Sequence, residues 1–255
     1  MGVKTKDWGP YGWVVIESLG RLYDDILLQI SETDETARHA LQQTLKSIIF
    51  LIGFVLPCVY CRISYRKFTN PQNTEIDINE QLMLKNGGKR MVYQIHRKVS
   101  EKLEEQELEN NTSRSSEIKR KWKKLKPSFH SVLKTRFWSV TSEKFWQAYV
   151  KFLAYIMCDY KPVARVEIFL FIYMVGKLLT LSPDPEVTNL SHQYQKAWIN
   201  IQRSGIGAET LEERIDTIWS IPVFIFRANN WDFDFTPESF QDMCSSSIVN
   251  GCDKV

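Results

Sequence analysis

The sequence predicts an all-α protein. Apolar residues recur at spacings of three or four along the first hundred residues, which is the pattern of amphipathic helices. No segment there alternates apolar and polar residues as a half-buried strand does. Pro57 and Pro71 follow the points where the helical pattern stops. We therefore expect a small bundle of four helices, followed by a second and mostly helical region.

The first helix is predicted between Trp8 and Ile30. Ser31, with Asp34 three residues later, is predicted to cap the second helix, which ends before Pro57. The apolar faces of the two helices consist of Trp13, Ile16, Leu19, Leu22, Tyr23, Ile26 and Ile30 in the first, and Leu41, Leu45, Ile48, Ile52 and Val55 in the second.

Two further helices complete the predicted bundle. A short one from Pro57 to about Phe68 places Cys58 in its first turn. The next follows a turn at Asn70 and Pro71, and Gly87 with Gly88 predicts a break near its beginning. Its apolar face carries Met91, Ile95, Val99 and Leu103.

The charge pattern changes between residues 101 and 127. An acidic stretch from Glu101 to Glu109 precedes a basic run from Lys119 to Lys126. Such charge runs more commonly form a solvated linker or helix face than a nucleic-acid-binding patch. We therefore predict two domains, residues 1–126 and 127–255. The second has no recognisable catalytic motif, and its predicted helices are Thr141 to Tyr160, Pro162 to Leu181, Pro185 to Ser204 and Ala208 to Trp219.

Composition excludes several classes of protein. Hydrophobic residues at 44% and aromatic residues at 13% indicate an ordered chain. The net charge of +3 provides no overall field for nucleic acid or an anionic membrane, so no nucleic-acid partner is expected. No apolar run reaches the roughly 18 residues of a membrane-spanning helix, and the N-terminus has no signal-peptide pattern.

The five cysteines point to redox or metal chemistry, because an odd number in a chain this long does not make a disulfide-stapled scaffold. Cys58 and Cys61 form a C-x-x-C pair at a predicted helix N-terminus, where unpaired N–H groups favour the thiolate. Zinc would need four ligands, and no second pair follows at a suitable spacing. A thioredoxin-like site would need a preceding strand.

The other three cysteines lie in the second half. Cys158 falls in an apolar helix and is predicted to be an inert buried thiol. Cys244 and Cys252 lie in a tail rich in serine, and we expect them to form a structural bridge or, as an alternative, a shuttle that relays electrons to Cys58.

The C-x-x-C pair belongs to a series of motifs that resembles the Erv/ALR sulfhydryl oxidases over roughly the first 110 residues. The resemblance is closest to the larger viral oxidases of the giant-virus (mimivirus) type, which carry an additional C-terminal domain. The matching segments are Trp8-Gly9-Pro10-Tyr11-Gly12-Trp13, Ile16-Glu17, Tyr23, Pro57-Cys58-Val59-Tyr60-Cys61, and His96-Arg97-Lys98-Val99-Ser100 with Leu103.

Some positions depart from the family pattern. Glu17 stands where the family has histidine, and Asp24 replaces a proline. Arg97 and Ser100 replace two asparagines. The structural disulfide that usually follows the last motif is also missing from the first 110 residues, so we expect another part of the chain to brace that end.

The resemblance implies an FAD-dependent thiol oxidase. Cys58 would be attacked by the thiolate of a protein substrate, and Cys61 would pass two electrons to the flavin, which reduces molecular oxygen to hydrogen peroxide. No metal is implied. The cofactor-binding residues implied are Trp8, Gly9, Trp13, Glu17, Tyr23, His96, Arg97, Val99, Ser100 and Leu103.

The resemblance also implies a homodimer formed through the first two helices, and a location in the virion or the cytoplasm of an infected cell. The second domain is then expected to serve substrate choice or assembly, so that a chain ending near Lys126 would keep its flavin. The competing expectation is that this half covers the flavin site or braces it.

Two other classes of function remain open from the sequence. One is a helical binding module with a structural disulfide or a zinc half-site at Cys58 and Cys61. The other is a nucleic-acid adaptor that uses Lys119 to Lys126.

Overall fold

The computed structural model describes residues 5–70, 76–126, 128–135, 137–159, 164–204, 210–233 and 235–250. Every regular element in these ranges is helical, which confirms the all-α class. None of the helices described is long and apolar enough to span a bilayer. The helices are α1 (Thr5–Leu27), α2 (Glu35–Val55), α3 (Val59–Thr69), α4 (Ile78–Met83), α5 (Gly87–Asn110), α6 (Ser115–Leu125), α7 (Phe129–Thr135), α8 (Glu143–Cys158), α9 (Arg165–Thr180), α10 (Pro185–Ser204), α11 (Leu211–Asn229) and α12 (Pro237–Asn250), with a 3₁₀ turn (Thr112–Arg114) before α6.

The caps of the early helices differ slightly from prediction. Asp34, rather than Ser31, caps α2, because its carboxylate accepts the backbone N–H of Ala37 at 2.9 Å. Cys58 is the N-cap of α3 and lies just outside the first turn. Both helices still end or begin around Pro57, as the helical pattern indicated.

The predicted fourth helix is two helices, α4 and α5, and the glycine pair begins α5 instead of breaking it. A Cβ atom on Gly88 would overlap the carbonyl oxygen of Gly20, so α1 and α5 meet closely only because both residues are glycine. Asp24 on α1 accepts the backbone N–H groups of Gly88 at 2.8 Å and Lys89 at 3.1 Å. This carboxylate therefore holds the start of α5, whose own N-cap Asn86 makes no side-chain cap bond.

Asp24 titrates above the usual range of an aspartate. Burial raises its pKa to about 6, although the two amides and the Lys89 ammonium, 3.9 Å away, act in the opposite direction. Between the unfolded pKa of 3.8 and about 6, the folded protein binds more protons than the unfolded chain, so stability falls as pH rises through this window.

An Asp24→Asn variant tests this pH dependence. We expect the wild-type free energy of unfolding to lose up to about 3 kcal/mol between pH 4 and pH 7 relative to the variant, since each pKa unit is worth about 1.4 kcal/mol. Urea denaturation of both proteins at pH 4, 5.5 and 7 measures the difference. Parallel stability profiles for the two proteins would contradict it.

The helices of the second half match the predicted set with shifted ends. The last predicted helix, Ala208 to Trp219, is observed as α11 and continues past Pro222 to Asn229. A capping box between Thr210 and Glu213 fixes its start. The short helix α7 and the C-terminal helix α12 were not predicted.

The charged stretch from Glu101 to Lys126 is mostly helical in the structure, so of its two interpretations the helix face is confirmed and the linker is wrong. Helix α6 packs on α5 through Trp122, whose indole N–H donates to Glu107 at 2.7 Å. Lys121 also binds Glu107 at 2.9 Å, and Lys126 binds Glu104. Opposite charges that are blocks in the sequence thus become neighbours on adjacent helices.

The core is continuous across the predicted division at residues 126 and 127. Helix α8 packs along α1, and α9 packs along α2, so both halves contribute to one cluster of buried residues. At the α1–α8 contact the rings of Trp8 and Phe152 lie 6.1 Å apart, and Gly12 leaves just enough room for Phe152. The faces of α1 and α2 that the resemblance assigns to a homodimer are in part covered by helices of the same chain.

Cys158 is not an inert thiol. It forms a disulfide with Cys244, with an S–S distance of 2.12 Å, and this bond joins the end of α8 to α12. The predicted pairing of Cys244 with Cys252 is therefore wrong for this structure, and Cys252 itself lies outside the described residues. Both bonded cysteines are buried, as expected of a structural disulfide and unlike an exposed shuttle.

Replacing Cys244 with serine is expected to lower the free energy of unfolding by about 2–5 kcal/mol, because the bond closes a loop of 86 residues in the unfolded chain. Denaturation under non-reducing conditions measures the change. Cys252→Ser is the matched control and should leave stability unchanged. Equal stability of Cys244→Ser and wild type would contradict the bond.

Candidate redox site

A pocket opens between the first half of α1, the length of α3 and the C-terminal half of α5. It contains both members of the C-x-x-C pair, and most of its other walls are apolar. The lining residues are Thr5, Trp8, Trp13, Ile16, Leu56, Cys58, Tyr60, Cys61, Ser64, Tyr65, Phe68, Val99, Lys102, Leu103 and Gln106. Of the predicted site residues, Cys58, Cys61, Trp8, Trp13, Val99 and Leu103 are thus brought together.

The two cysteines lie at the N-terminus of α3. The backbone N–H of Cys61 donates to Cys58 Sγ at 3.3 Å, so the sulfur occupies the position of a capping oxygen. This position, with the helix dipole behind it, favours negative charge on sulfur. Cys61 Sγ lies 3.2 Å from the hydroxyl of Thr5. Cys58 is 3% exposed and Cys61 is more exposed, so Cys61 is the more accessible of the pair.

An arginine of the same helix holds the cysteine segment in place. Arg62 donates from Nη1 to the carbonyl of Leu56 at 2.6 Å and to Asp159 at 3.1 Å. Asp159 follows directly after Cys158, so the residue that anchors α3 comes from the second half of the chain. Both charged side chains are largely buried, so removing either one would leave the other charge buried without its partner.

Trp13 forms one wall of the pocket, and two residues behind it fix its position. The indole stacks on the imidazole of His96 at a centroid distance of 3.9 Å, with the planes 7° apart. His96 Nδ1 lies 3.2 Å from the buried carboxylate of Glu17. Glu17 and His96 therefore act on the pocket through Trp13, and neither lines it.

Two lining side chains carry buried polar groups without a hydrogen-bond partner among the described residues. These are the indole N–H of Trp8 and the hydroxyl of Tyr65. Burial raises the pKa of Tyr65, so this hydroxyl stays neutral and is a potential donor. Unsatisfied buried donors are rare in folded proteins, and a polar ligand in the adjacent pocket is one explanation for them.

No protein-family model, curated protein or solved structure matches this chain. The arrangement of the pocket is therefore the observation on which a function must rest. Among the described residues, no group of three or more histidine, cysteine, aspartate or glutamate side chains is placed to hold a metal ion.

The remaining predicted cofactor residues lie away from the pocket lining. Tyr23 is fully buried, donates to the carbonyl of Leu82 at 3.3 Å, and has a pKa raised to about 12 by burial. Arg97 is exposed and pairs with Glu101 at 2.8 Å. Gly9 is buried beside Trp8 on α1, and Ser100 donates to the carbonyl of His96 at 3.0 Å. The structure does not bring these four residues to the pocket.

Sequence reasoning missed several residues of the site, above all Lys102, Ser64, Tyr65 and Phe68. Lys102 follows Val99 by three positions, which places both on one face of α5. On α3, Ser64, Tyr65 and Phe68 follow Cys61 by three, four and seven positions, which places them on one helix face. Residues three, four or seven positions from a motif residue lie on the same helix face. This helical spacing, counted from the motif residues, is the signal that identifies the missed residues.

The lining residues offer the kinds of apolar and polar groups that a flavin ring would contact. Trp8, Trp13 and Phe68 offer aromatic and apolar surface to a planar ring, while the unsatisfied donors and the ammonium of Lys102 suit its polar edge. Both cysteines line the same pocket.

Proposed function

We propose that this chain is an FAD-dependent thiol oxidase that forms disulfides in protein substrates. The observation that carries the proposal is a pocket that combines a C-x-x-C pair at a helix N-terminus with the two tryptophans of α1 and two apolar residues of α5. The motifs that resemble the Erv/ALR oxidases supply these residues from three separate segments. Their convergence on one pocket supports the proposal.

The cysteine pair carries the thiol chemistry. Cys58 and Cys61 are thiols in this structure, and the reaction starts from the oxidised pair, in which they share a disulfide. A substrate thiolate attacks that disulfide and forms a mixed disulfide, and a second substrate thiolate displaces the enzyme cysteine. The substrate gains a disulfide, and the pair gains two electrons and ends as two thiols after taking up protons. When bound, FAD supplies a two-electron acceptor that can pass the electrons to oxygen and yield hydrogen peroxide.

The order of the two cysteines stays a prediction. Cys58 was assigned to the substrate, and its capping position favours its thiolate as a leaving group in exchange. It is nevertheless the more buried residue, so a substrate segment must enter the pocket to reach it. Tyr60, between the two cysteines, is 43% exposed and lies where such a segment would enter.

The surrounding residues orient the reaction. Glu17 contacts the His96 imidazole, and the imidazole stacks on the Trp13 indole. The indole is thereby held in one plane, so this wall of the pocket is formed before a ligand enters. Apolar lining residues surround the cysteine pair, and Arg62 fixes the start of α3 against the second half of the chain.

Purified protein is expected to be yellow and to carry one FAD per chain, released on denaturation and measured by absorbance and chromatography. Leu103→Trp should fill the pocket and prevent flavin retention. Glu105→Trp places the same ring on the exposed side of α5 and should retain flavin. Absence of flavin from the wild type, even after incubation with FAD, would overturn the proposed function.

A further inference from the structure

Lys102 is the only charged residue among the described residues that line the pocket. Its ammonium donates to the hydroxyl of Ser64, and that hydroxyl donates in turn to the carbonyl of Tyr60 at 2.9 Å. No described carboxylate lies within ion-pair distance of the Lys102 ammonium. The positive charge is therefore held in place by a neutral group and is not neutralised locally.

Cys61 lies on the same side of the pocket as this ammonium. Ser64 follows Cys61 by three residues on α3, a spacing at which Cβ atoms are about 5–6 Å apart, and both residues line the pocket. The Thr5 hydroxyl on α1 lies 3.2 Å from Cys61 Sγ, where it can donate a hydrogen bond to a thiolate. The surrounding apolar walls strengthen the attraction between an ammonium and a thiolate.

We propose that Lys102 is a positioning residue that keeps Cys61 as a thiolate in the reduced protein, with Ser64 aiming its ammonium. The step is a proton equilibrium only: the Cys61 thiol releases its proton to water, and no electrons move. The use of this thiolate as electron donor rests on the proposed function, whereas the proton equilibrium does not.

The other ionisable groups around Cys61 do not supply this charge. On α3, Arg62 is paired with Asp159, and Tyr65 stays neutral because burial raises its pKa. Helix α2 has no ionisable residue after Lys46, and α1 contributes only neutral side chains to the lining. Behind Trp13, Glu17 faces His96. The remaining titratable groups in the lining are Cys58 and Tyr60.

The test is the pH profile of Cys61 alkylation. In full-length, reduced protein carrying Cys58→Ser, the rate of iodoacetamide reaction at Cys61 is followed by peptide mass mapping, which separates it from the other cysteines. Lys102→Met should raise the midpoint of the profile by about one pH unit, so that the rate falls by up to about tenfold at pH values below both midpoints. Lys102→Arg keeps the charge and should stay within about threefold of the parent.

Lys98→Met is the matched control, because Lys98 lies one turn earlier on α5, outside the pocket lining, with its ammonium 3.8 Å from Glu101. An unchanged profile in Lys102→Met, or an equal shift in Lys98→Met, would overturn the inference. If Lys102→Met does not fold, Ser64→Ala replaces it and should raise the midpoint in the same direction. An unshifted Ser64→Ala profile would then overturn the inference.

This measurement does not depend on flavin. A Lys102-dependent shift in a protein that binds no FAD would uphold the inference and overturn the proposed function. If the protein retains flavin and oxidase activity but Lys102→Met does not shift the alkylation profile, the proposed function is upheld and the inference about Lys102 is overturned.

Discussion

Replacing Cys61 with serine is expected to reduce oxygen-coupled thiol oxidation roughly a thousandfold or more, to the background rate. Serine cannot form the Cys58–Cys61 disulfide, so the protein loses the bond that accepts electrons from the substrate. Cys58→Ser removes the same bond and should have a similar effect. Oxygen consumption with dithiothreitol and with a reduced protein substrate measures the loss.

Flavin content and folding must be preserved for this result to bear on mechanism. Cys58→Ser keeps a capping oxygen at the N-terminus of α3, and Cys61→Ser keeps a hydroxyl beside that of Thr5. Cys252→Ser serves as the cysteine control and should retain full activity. Full activity of Cys61→Ser would refute the assigned route.

A chain that ends at Lys126 is expected to lose the folded state and, with it, any bound flavin. The truncation removes α8 from α1 and α9 from α2, and exposes apolar faces that are buried in the complete chain. Each large apolar side chain returned to water costs about 1.5–3 kcal/mol, and net stabilities are only about 5–15 kcal/mol. Circular dichroism, thermal unfolding and retained flavin measure the outcome.

The two halves produced together as separate chains are the control for this experiment. Residues 1–126 and 127–255 should associate and recover flavin binding, because the interface between them is a shared core. A folded, flavin-binding fragment of residues 1–126 alone would instead support the accessory role expected from the sequence. The covered faces of α1 and α2 and the Arg62–Asp159 pair argue against that result.

Local features of the fold could be predicted from the sequence, because they depend on neighbours along the chain. The periodic apolar faces gave α1 and α2 to within a few residues, and Pro57 marked the start of the segment that carries Cys58 and Cys61. The cap at Asp34 was misplaced because Ser31 offers the same chemistry three residues earlier.

Long-range relationships were not accessible in the same way. The bond between Cys158 and Cys244 depends on how α8 and α12 approach, and spacing favoured the nearer Cys252. The charged stretch around Glu107 and Lys121 looked like a linker because its ion pairs form only once α6 folds back on α5. Lys102 lacks a motif of its own, so its role depends on the pocket.

The close approach of α1 and α8 at Gly12 has a consequence for how this sequence can vary over evolution. A Cβ atom at position 12 would lie 3.1 Å from the ring of Phe152 and 3.1 Å from Trp8. A larger residue at position 12 therefore requires a shift of the Trp8 ring together with a smaller ring or an aliphatic residue at position 152. In related sequences these two positions should change in concert, one growing as the other shrinks, although they lie in opposite halves of the chain.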